Sequence, residues 1–338
     1  MTTGDHAHHV VTFGEAMIRL TPPGNERIER TASLTLSPGG AELNTAVTLA
    51  ALDLSAIWVS RLPENALARH LDRHARAHSV DTSQVRWVSE QEGRMGLYFL
   101  EEGADPRPSA VVYDRKGSAF ANVQPGEFDW GRIFDGASAF HISGITPAVS
   151  PAAKAESLAA IRAANAARVT VFFDLNYRSK LWTETEAKAC FQEMVPLVDV
   201  LFASRGNMRT FFGIEGSHEL VMELARAKLG VAACVLTRKR ARASRSIKLG
   251  AMAIGRSGEV TETPWKSVEI VDRLGGGDAF AGGFIAGYLD DPDDLSRALS
   301  LGVAASSLKH TVPGDFLCAT RQEIEDAAVE TGAGVLQR

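Results

Sequence analysis

Three consecutive glycines followed by a carboxylate, Gly275-Gly276-Gly277-Asp278, form the stretch of this sequence best equipped for chemistry. The run follows a strand-like segment and precedes a helix-like one over residues 279–289. Glycines let the backbone turn sharply and present successive N–H groups. The start of a helix adds unpaired donors and a field that favours anions. Such a turn can steady a phosphoryl group while charge spreads over it during transfer. Asp278, facing the same spot, can accept the proton of an attacking hydroxyl. The plainer alternative is an ordinary helix start with Asp278 complementing the dipole. No Lys-Ser/Thr follows the glycines and no Gly-x-Gly-x-x-Gly spacing is present, so neither a Walker A loop nor a dinucleotide fingerprint is indicated.

A second group of residues suits a polyhydroxy acid. Residues 94–101 and 109–115 are rich in β-formers and flank the turn-forming stretch Glu102-Gly-Ala-Asp-Pro-Arg-Pro108. Alternate side chains of a strand share a face, so Tyr113 and Arg115 point one way together, as do Gly96, Tyr98 and Leu100. A phenol and a guanidinium side by side match hydroxyls and a carboxylate, which arginine grips through a planar fork. Arg178 follows a strand-like segment at the end where functional groups of an α/β sheet gather. A surface ion pair for Arg115, a capping role for Arg178 and plain packing for Tyr98 and Tyr113 are the alternatives.

The surrounding elements must hold these groups in place. Strand patterns over residues 10–20, 55–60, 139–142, 169–174, 198–203 and 233–237 alternate with helical ones over 41–52, 65–78, 151–166 and 184–194, and Asn65 stands in a capping position. That order predicts βαβ units and a mostly parallel sheet covered on both faces. Residues 27–37 and 94–115 break the rhythm, being extended with no helix between. They predict a small antiparallel lid, formed by about residues 15–37 and 90–117, inserted in the N-terminal half of one α/β domain spanning residues 1–338.

The totals exclude several function classes. The 338 residues are 45% hydrophobic and 23% charged, with a net charge of −5. There is no basic footprint for nucleic acid or an anionic membrane, so phosphate must be held locally. Three scattered cysteines and no membrane-length apolar run fit a reducing, cytoplasmic setting. The polar start with His6, His8 and His9 reads as an unordered end. His70, His74 and His78 recur every four residues on a predicted helix but have no third acidic or thiol ligand. Asp290, Asp291, Asp293 and Asp294 around Pro292 lack the spacing of a calcium loop. No protein metal site is expected.

Taken jointly, several motifs resemble the ribokinase-like (PfkB) carbohydrate kinases, and most of all their 2-keto-3-deoxygluconate kinase branch. They are Gly39-Gly40-Ala41-Glu-Leu-Asn44, Gly96-Leu-Tyr-Phe-Leu, Arg107-Pro-Ser-Ala-Val-Val-Tyr-Asp-Arg115, Phe173-Asp-Leu-Asn-Tyr-Arg178, Gly275-Gly-Gly-Asp278 and Lys309-His-Thr-Val-Pro-Gly-Asp315. The resemblance runs from about residue 10 to residue 328. It implies a three-layer α/β sandwich with a mostly parallel central sheet and a small antiparallel β lid. It also implies ATP with Mg2+, Asp278 as catalytic base, and Gly275, Gly276 and Gly277 as the anion hole for the γ-phosphate. Gly40, Asn44, Tyr98, Tyr113, Arg115, Arg178 and Asp278 would line the sugar-acid site, and the 6-hydroxyl would be the acceptor.

Departures from the family pattern fall on the nucleotide side. The usual Gly-Ala-Gly-Asp is Gly-Gly-Gly-Asp here, and Asn-x-x-Glu appears as Ser204-Arg-Gly-Asn207 without its carboxylate. Ser204, Asn207 and Thr237 are the expected nucleotide contacts, with Asn207 holding an ordered water. Residues 237–245, with Arg238, Lys239, Arg240, Arg242 and Arg245, could meet phosphates but are expected to form a solvated, mobile loop. A kinase for 2-keto-3-deoxygalactonate or for a ketohexose such as fructose, and a non-catalytic sugar-acid sensor, are the rival functions. Exposed β edges on the lid predict a homodimer paired lid to lid.

Overall fold

A computed structural model describes residues 8–243 and 245–329. Its strands are β1 (His9–Phe13), β2 (Met17–Thr21), β3 (Thr35–Gly39), β4 (Ser55–Pro63), β5 (Val85–Val88), β6 (Leu97–Glu101), β7 (Ala110–Asp114), β8 (Ala139–Ser143), β9 (Thr170–Asp174), β10 (Val200–Ala203), β11 (Ala233–Ala243), β12 (Ser246–Ile254), β13 (Val260–Glu262) and β14 (Lys266–Glu269). Ten of them form one sheet in the order β13-β12-β11-β10-β9-β8-β1-β4-β5, with β14 also pairing β12. The pairings from β11 to β5 are parallel, and those of β12 are antiparallel. Buried strand residues alternate between two cores. Val11, Phe140 and Phe173 pack on one face beneath the helices Pro151–Ala166 and Glu184–Met194. Val10, Phe172 and Phe202 pack on the other, beneath Ala41–Ala51, Gly276–Asp290 and Leu295–His310. This is the ribokinase-like α/β architecture, a large mostly parallel sheet between helical layers with a smaller sheet beside it.

The smaller sheet has the order β3-β2-β6-β7. β2–β3 and β6–β7 are antiparallel, but the central pair β2–β6 is parallel, so the sheet is not purely antiparallel as expected. The single strand expected over residues 10–20 is two strands. Gly14, Glu15 and Ala16 break it, so that β1 enters the large sheet and β2 the small one. Of the expected unordered start, His9 opens β1 and His8 Nδ1 lies 3.2 Å from Ser138 Oγ, while His6 lies outside the described residues.

Local signals account for the sharpest boundaries. Asn65 accepts from Ala68 N, Ser150 from Ala153 N, and Thr183 with Glu186 forms a reciprocal capping box. The helix Gly276–Asp290 runs unusually close to its neighbours. A Cβ on Gly282 would fall 2.7 Å from Thr48 Cβ, and one on Gly283 would fall 2.6 Å from Leu301 O. This closeness brings its N-terminal turn alongside that of Ala41–Ala51.

The two sheets are joined by buried charge. Arg19 on β2 reaches Asp315 Oδ1 at 2.9 Å and Asp272 Oδ2 at 2.6 Å, and its side chain is 3% exposed. Asp272 also accepts from Leu274 N and Gly314 N, both at 3.0 Å. Tyr98 on β6 donates to Asp315 Oδ2 at 2.7 Å. Lys309, fully buried, donates to Val312 O at 3.2 Å. Replacing Arg19 by Met leaves two buried carboxylates without their cation, a loss expected to cost ~3–5 kcal/mol. Urea unfolding should show it as a lowered midpoint at constant m-value; an unchanged midpoint would show that the network adds nothing to stability.

Candidate active site

The backbone turn at Gly275 has φ 78°, and Gly275 caps the helix Gly276–Asp290. A Cβ there would sit 1.9 Å from Asp315 O, so the close approach and the left-handed conformation both demand glycine. Gly276 packs on the His310 ring, whereas Gly277 has nothing within 4 Å of an added Cβ and opens onto a cavity. The helix therefore begins inside the glycine run, not after it as expected. No side chain caps this turn, so its first N–H groups remain available to a ligand.

Asp278 occupies the first turn, half-buried. Asn44 Nδ2 donates to Asp278 Oδ2 at 2.7 Å, and Gly40 N donates to Asn44 Oδ1 at 3.3 Å. Thr45 Oγ1 donates to Asp278 O at 3.2 Å. Burial pushes the Asp278 carboxyl up to about 7. The Asn44 hydrogen bond and the Arg178 charge oppose that shift, and the charges of Asp174 and Asp315 reinforce it. Asp174, at the end of β9, is pushed by burial to about 6.

Two cavities meet at this carboxylate. One, of about 430 Å³, is lined by Glu15, Gly40, Asn44, Tyr98, Tyr113, Arg115, Arg178, Lys180 and Asp315. The other, of about 400 Å³, is lined by Asp174, Arg178, Ser204, Asn207, Thr237, Lys239 and residues 275–277. Asp278, Gly275 and Arg178 border both. A hydroxyl held in the first cavity and an anion held in the second would meet across Asp278 and the glycine turn, the arrangement needed for group transfer to an alcohol.

The expected sugar-acid residues thus line one cavity, but their states differ. Tyr98 pairs across the sheet with Tyr113, the ring centroids 6.0 Å apart. Burial raises the Tyr98 phenol well above its ordinary value, so it stays a donor to Asp315. Arg115 is not the open fork expected. Its Nε donates to Glu15 Oε2 at 2.8 Å and its Nη2 donates to the same oxygen, leaving Nη1 without a hydrogen bond among the described residues on a side chain that lines the cavity. Arg178 is exposed, with one long 3.5 Å bond to Tyr177 O, and is the less committed cation.

On the other side, Ser204 and Asn207 form a capping box at the helix Arg205–Phe212. Asn207 Oδ1 accepts from Ser204 N at 3.1 Å and Ser204 Oγ at 2.8 Å, so the oxygen expected to hold a water is already used. Residues 238–243 are not a loop, although Lys239 and Arg240 are exposed as expected. They extend β11, which pairs with β12 from Cys234 to Ala243. The side chain of Arg242 lies outside the described residues. Among the described residues no group of three or more metal-ligating side chains occurs, and His74 and His78 hydrogen-bond preceding helix carbonyls instead. No described helix is long and apolar enough to cross a membrane.

Sequence reasoning missed Glu15, Asp174, Lys180 and Asp315, and it named Lys239 only within a basic cluster that could meet phosphates. Asp174 and Lys180 flank Arg178, and Asp315 closes the motif beginning at Lys309, so their neighbourhood was a signal. Glu15 and Lys239 carried none that singled them out.

Asp278 binds a proton more readily in the folded than in the unfolded chain, its carboxyl rising from 3.8 to about 7. Folding stability therefore falls as pH rises through that window. The Asp278→Asn variant, which cannot ionise, should melt above the wild type at pH 8, the difference shrinking toward pH 4. A pH-independent difference would show that Asp278 is not shifted.

The sequence matches the pfkB family carbohydrate kinase pattern over residues 7–321. It is 38% identical over 327 residues to the 2-dehydro-3-deoxygalactonokinase of Haloferax volcanii, covering 96% of this chain and 98% of that one. The crystal structure of the 2-dehydro-3-deoxygluconokinase of Thermotoga maritima superposes with a TM-score of 0.91 at 38% identity, over 96% of this chain and 100% of that one. A putative ribokinase II of E. coli, in complex with ATP and Mg2+, shares the fold with a TM-score of 0.82 at 20% identity, over 95% and 98% of the two chains.

Proposed function

Because the chain belongs to the pfkB family of carbohydrate kinases, we propose that it phosphorylates 2-keto-3-deoxygluconate at the 6-hydroxyl with ATP. The observation that carries this reading is the single carboxylate, Asp278, shared by both cavities and set against an uncapped helix N-terminus. The Asp278 carboxylate takes the proton of the 6-hydroxyl as that oxygen bonds to the γ-phosphorus. The bond from phosphorus to the ADP oxygen breaks, giving the 6-phosphate and ADP. The N–H groups of residues 275–277 steady the charge on the phosphoryl oxygens. Asn44 orients Asp278 through their 2.7 Å hydrogen bond.

The acid end of the substrate is read by Arg178, by the free edge of Arg115 and by Lys180, which together favour a sugar acid over a neutral ketose such as fructose. Tyr98, Tyr113 and Asp315 offer partners for hydroxyls. Ser204, Thr237 and the Asn207 amide border the nucleotide. Mg2+ fits as part of the nucleotide, since it commonly needs only one or two carboxylates beside phosphates and waters. Asp174, whose Oδ1 accepts from Asn176 N and whose second oxygen accepts no hydrogen bond from the described residues, is the group that would hold it there. When bound it neutralises phosphate charge.

The small sheet acts as a lid over the sugar cavity. Lys180 Nζ donates to Val111 O at 2.7 Å and ties β7 to the body of the protein. Leu36 and Val112 on this sheet are exposed, which supports pairing with the lid of a second copy.

A second reading, 2-keto-3-deoxygalactonate as substrate, is favoured by the Haloferax relative, a 2-dehydro-3-deoxygalactonokinase. Coupled ADP assays with both epimers and fructose test the choice. The highest kcat/KM is expected on 2-keto-3-deoxygluconate; preference for the galactonate epimer or for fructose would overturn that, and sugar-independent ADP release would exclude a sugar kinase.

Asp278→Asn should lower kcat by ~10²–10⁴ with the fold intact. In the wild type, log kcat/KM should fall with decreasing pH below about 7, where the base becomes protonated. Full turnover in the variant would remove Asp278 as base. Arg115→Ala should raise the KM for the sugar acid and leave that for ATP unchanged, because it also exposes Glu15 to the substrate carboxylate. Arg178→Ala, bordering both cavities, should raise both KM values. Equal, small effects in the two variants would make the arginines structural.

A further inference from the structure

β11 reaches far beyond its parallel neighbour β10, whose pairing ends at Ala203↔Leu236. Its continuation, residues 237–243, pairs only with β12. Side chains there alternate in what they meet. Arg238 turns its guanidinium to Glu262 Oε2 at 2.7 Å and Thr263 O at 2.9 Å, and lies over the Trp265 ring at 4.8 Å. Thr237 and Lys239, two residues apart on one strand face, line the 400 Å³ cavity beside residues 275–277. Among the described residues, no hydrogen bond or ion pair within 4 Å occupies the Lys239 ammonium, in contrast to the committed guanidiniums of Arg19, Arg115 and Arg238.

The same cavity contains two carboxyl groups, Asp174 and Asp278. An incoming nucleotide phosphate meets them as like charges. The stretch Ser204-Arg-Gly-Asn207 on the same wall offers no carboxylate, and the polar atoms of Ser204 and Asn207 close on each other as a helix cap. Four cations, Arg178, Arg238, Lys239 and Arg273, line the cavity, and Lys239 is the one that shares a strand face with Thr237. Burial lowers the Lys239 ammonium from its ordinary value, the charges of Asp278 and Asp174 oppose that shift, and those of Arg178 and Arg273 add to it; the side chain nonetheless keeps an exposed part at the cavity rim.

Resting on the kinase reading above, we propose that Lys239 is a catalytic residue of the transfer, its ammonium contacting the phosphate oxygens of the nucleotide opposite residues 275–277. It keeps its proton throughout; its part is to offset charge on the transferred group from the β11–β12 hairpin. Thr237 shares its strand face and borders the same phosphates.

The test compares wild-type protein with K239M and K239R. Binding of Mg2+·AMP-PNP and of adenosine is measured by calorimetry, and kcat by sugar-dependent ADP release. K239M should lose roughly 10- to 100-fold in AMP-PNP affinity, the effect of one charged hydrogen bond, with adenosine affinity unchanged. Its kcat should fall by at least as much, and K239R should recover part of both. AMP-PNP affinity and kcat at wild-type levels in K239M overturn the proposal. So does an equal loss for adenosine, which would mean a displaced hairpin. Should K239M fail to fold, K239Q takes its place under the same criteria. Wild-type protein that binds AMP-PNP but turns over no sugar acid refutes the substrate reading alone, and the binding comparison still decides the role of Lys239. Wild-type protein that binds no AMP-PNP refutes both.

Discussion

Asn44 and Asp278 lie 234 positions apart and are joined by one hydrogen bond of 2.7 Å. Each sits in the first turn or two of its own helix, Ala41–Ala51 and Gly276–Asp290. The bond exists because the two helices cross at glycine distance, with Gly282 against Thr48. It fixes which way the carboxylate looks. The Asn44 amide oxygen accepts from Gly40 N, which turns its NH2, a donor only, toward Asp278. One oxygen of Asp278 is thereby anchored and the other remains for chemistry. A loosely packed pair of helices would leave the same residues present without their aim.

Charge in this molecule is divided into spent and unspent cations. Arg19 and Arg238 have their guanidiniums committed to carboxylates and, for Arg238, also to a carbonyl, while Arg115 is held by Glu15 on the wall of the sugar cavity. Arg178 and Lys239 border cavities with little or no such commitment. Buried arginines that are already paired hold the architecture, and those near open space select ligands. Counting basic residues in a motif does not distinguish the two, because the partner of each is far away in the chain.

That separation explains what could be read from the sequence. The helices Pro151–Ala166 and Glu184–Met194 have the bounds that their own residues announce, Ser150 in one case and Thr183 with Glu186 in the other. The parallel sheet followed from alternation of strand and helix. The glycine turn with Asp278 was legible because its ingredients are adjacent. The break at residues 14–16 was not, because the apolar pattern runs through it while the chain passes from one sheet to another. The charged end of β11 also escaped. Its residues look like a solvated loop, and only pairing with β12 makes them a strand. Arg19 and Asp315, 296 positions apart, gave no joint signal at all.

The buried trio Arg19, Asp272 and Asp315 has an evolutionary consequence. Loss of any one member strands the charge of the others away from water, whereas simultaneous exchange of a whole buried ion cluster for well-packed apolar groups can be neutral or better. Single-step drift at these positions is therefore blocked in both directions. Asp272 and Asp315 also brace the glycine turn, through Leu274 N, Gly314 N and the Asp315 carbonyl. The trio should pass between descendants as an inherited block, retained or discarded whole, and a lineage that discarded it would need another brace for the turn.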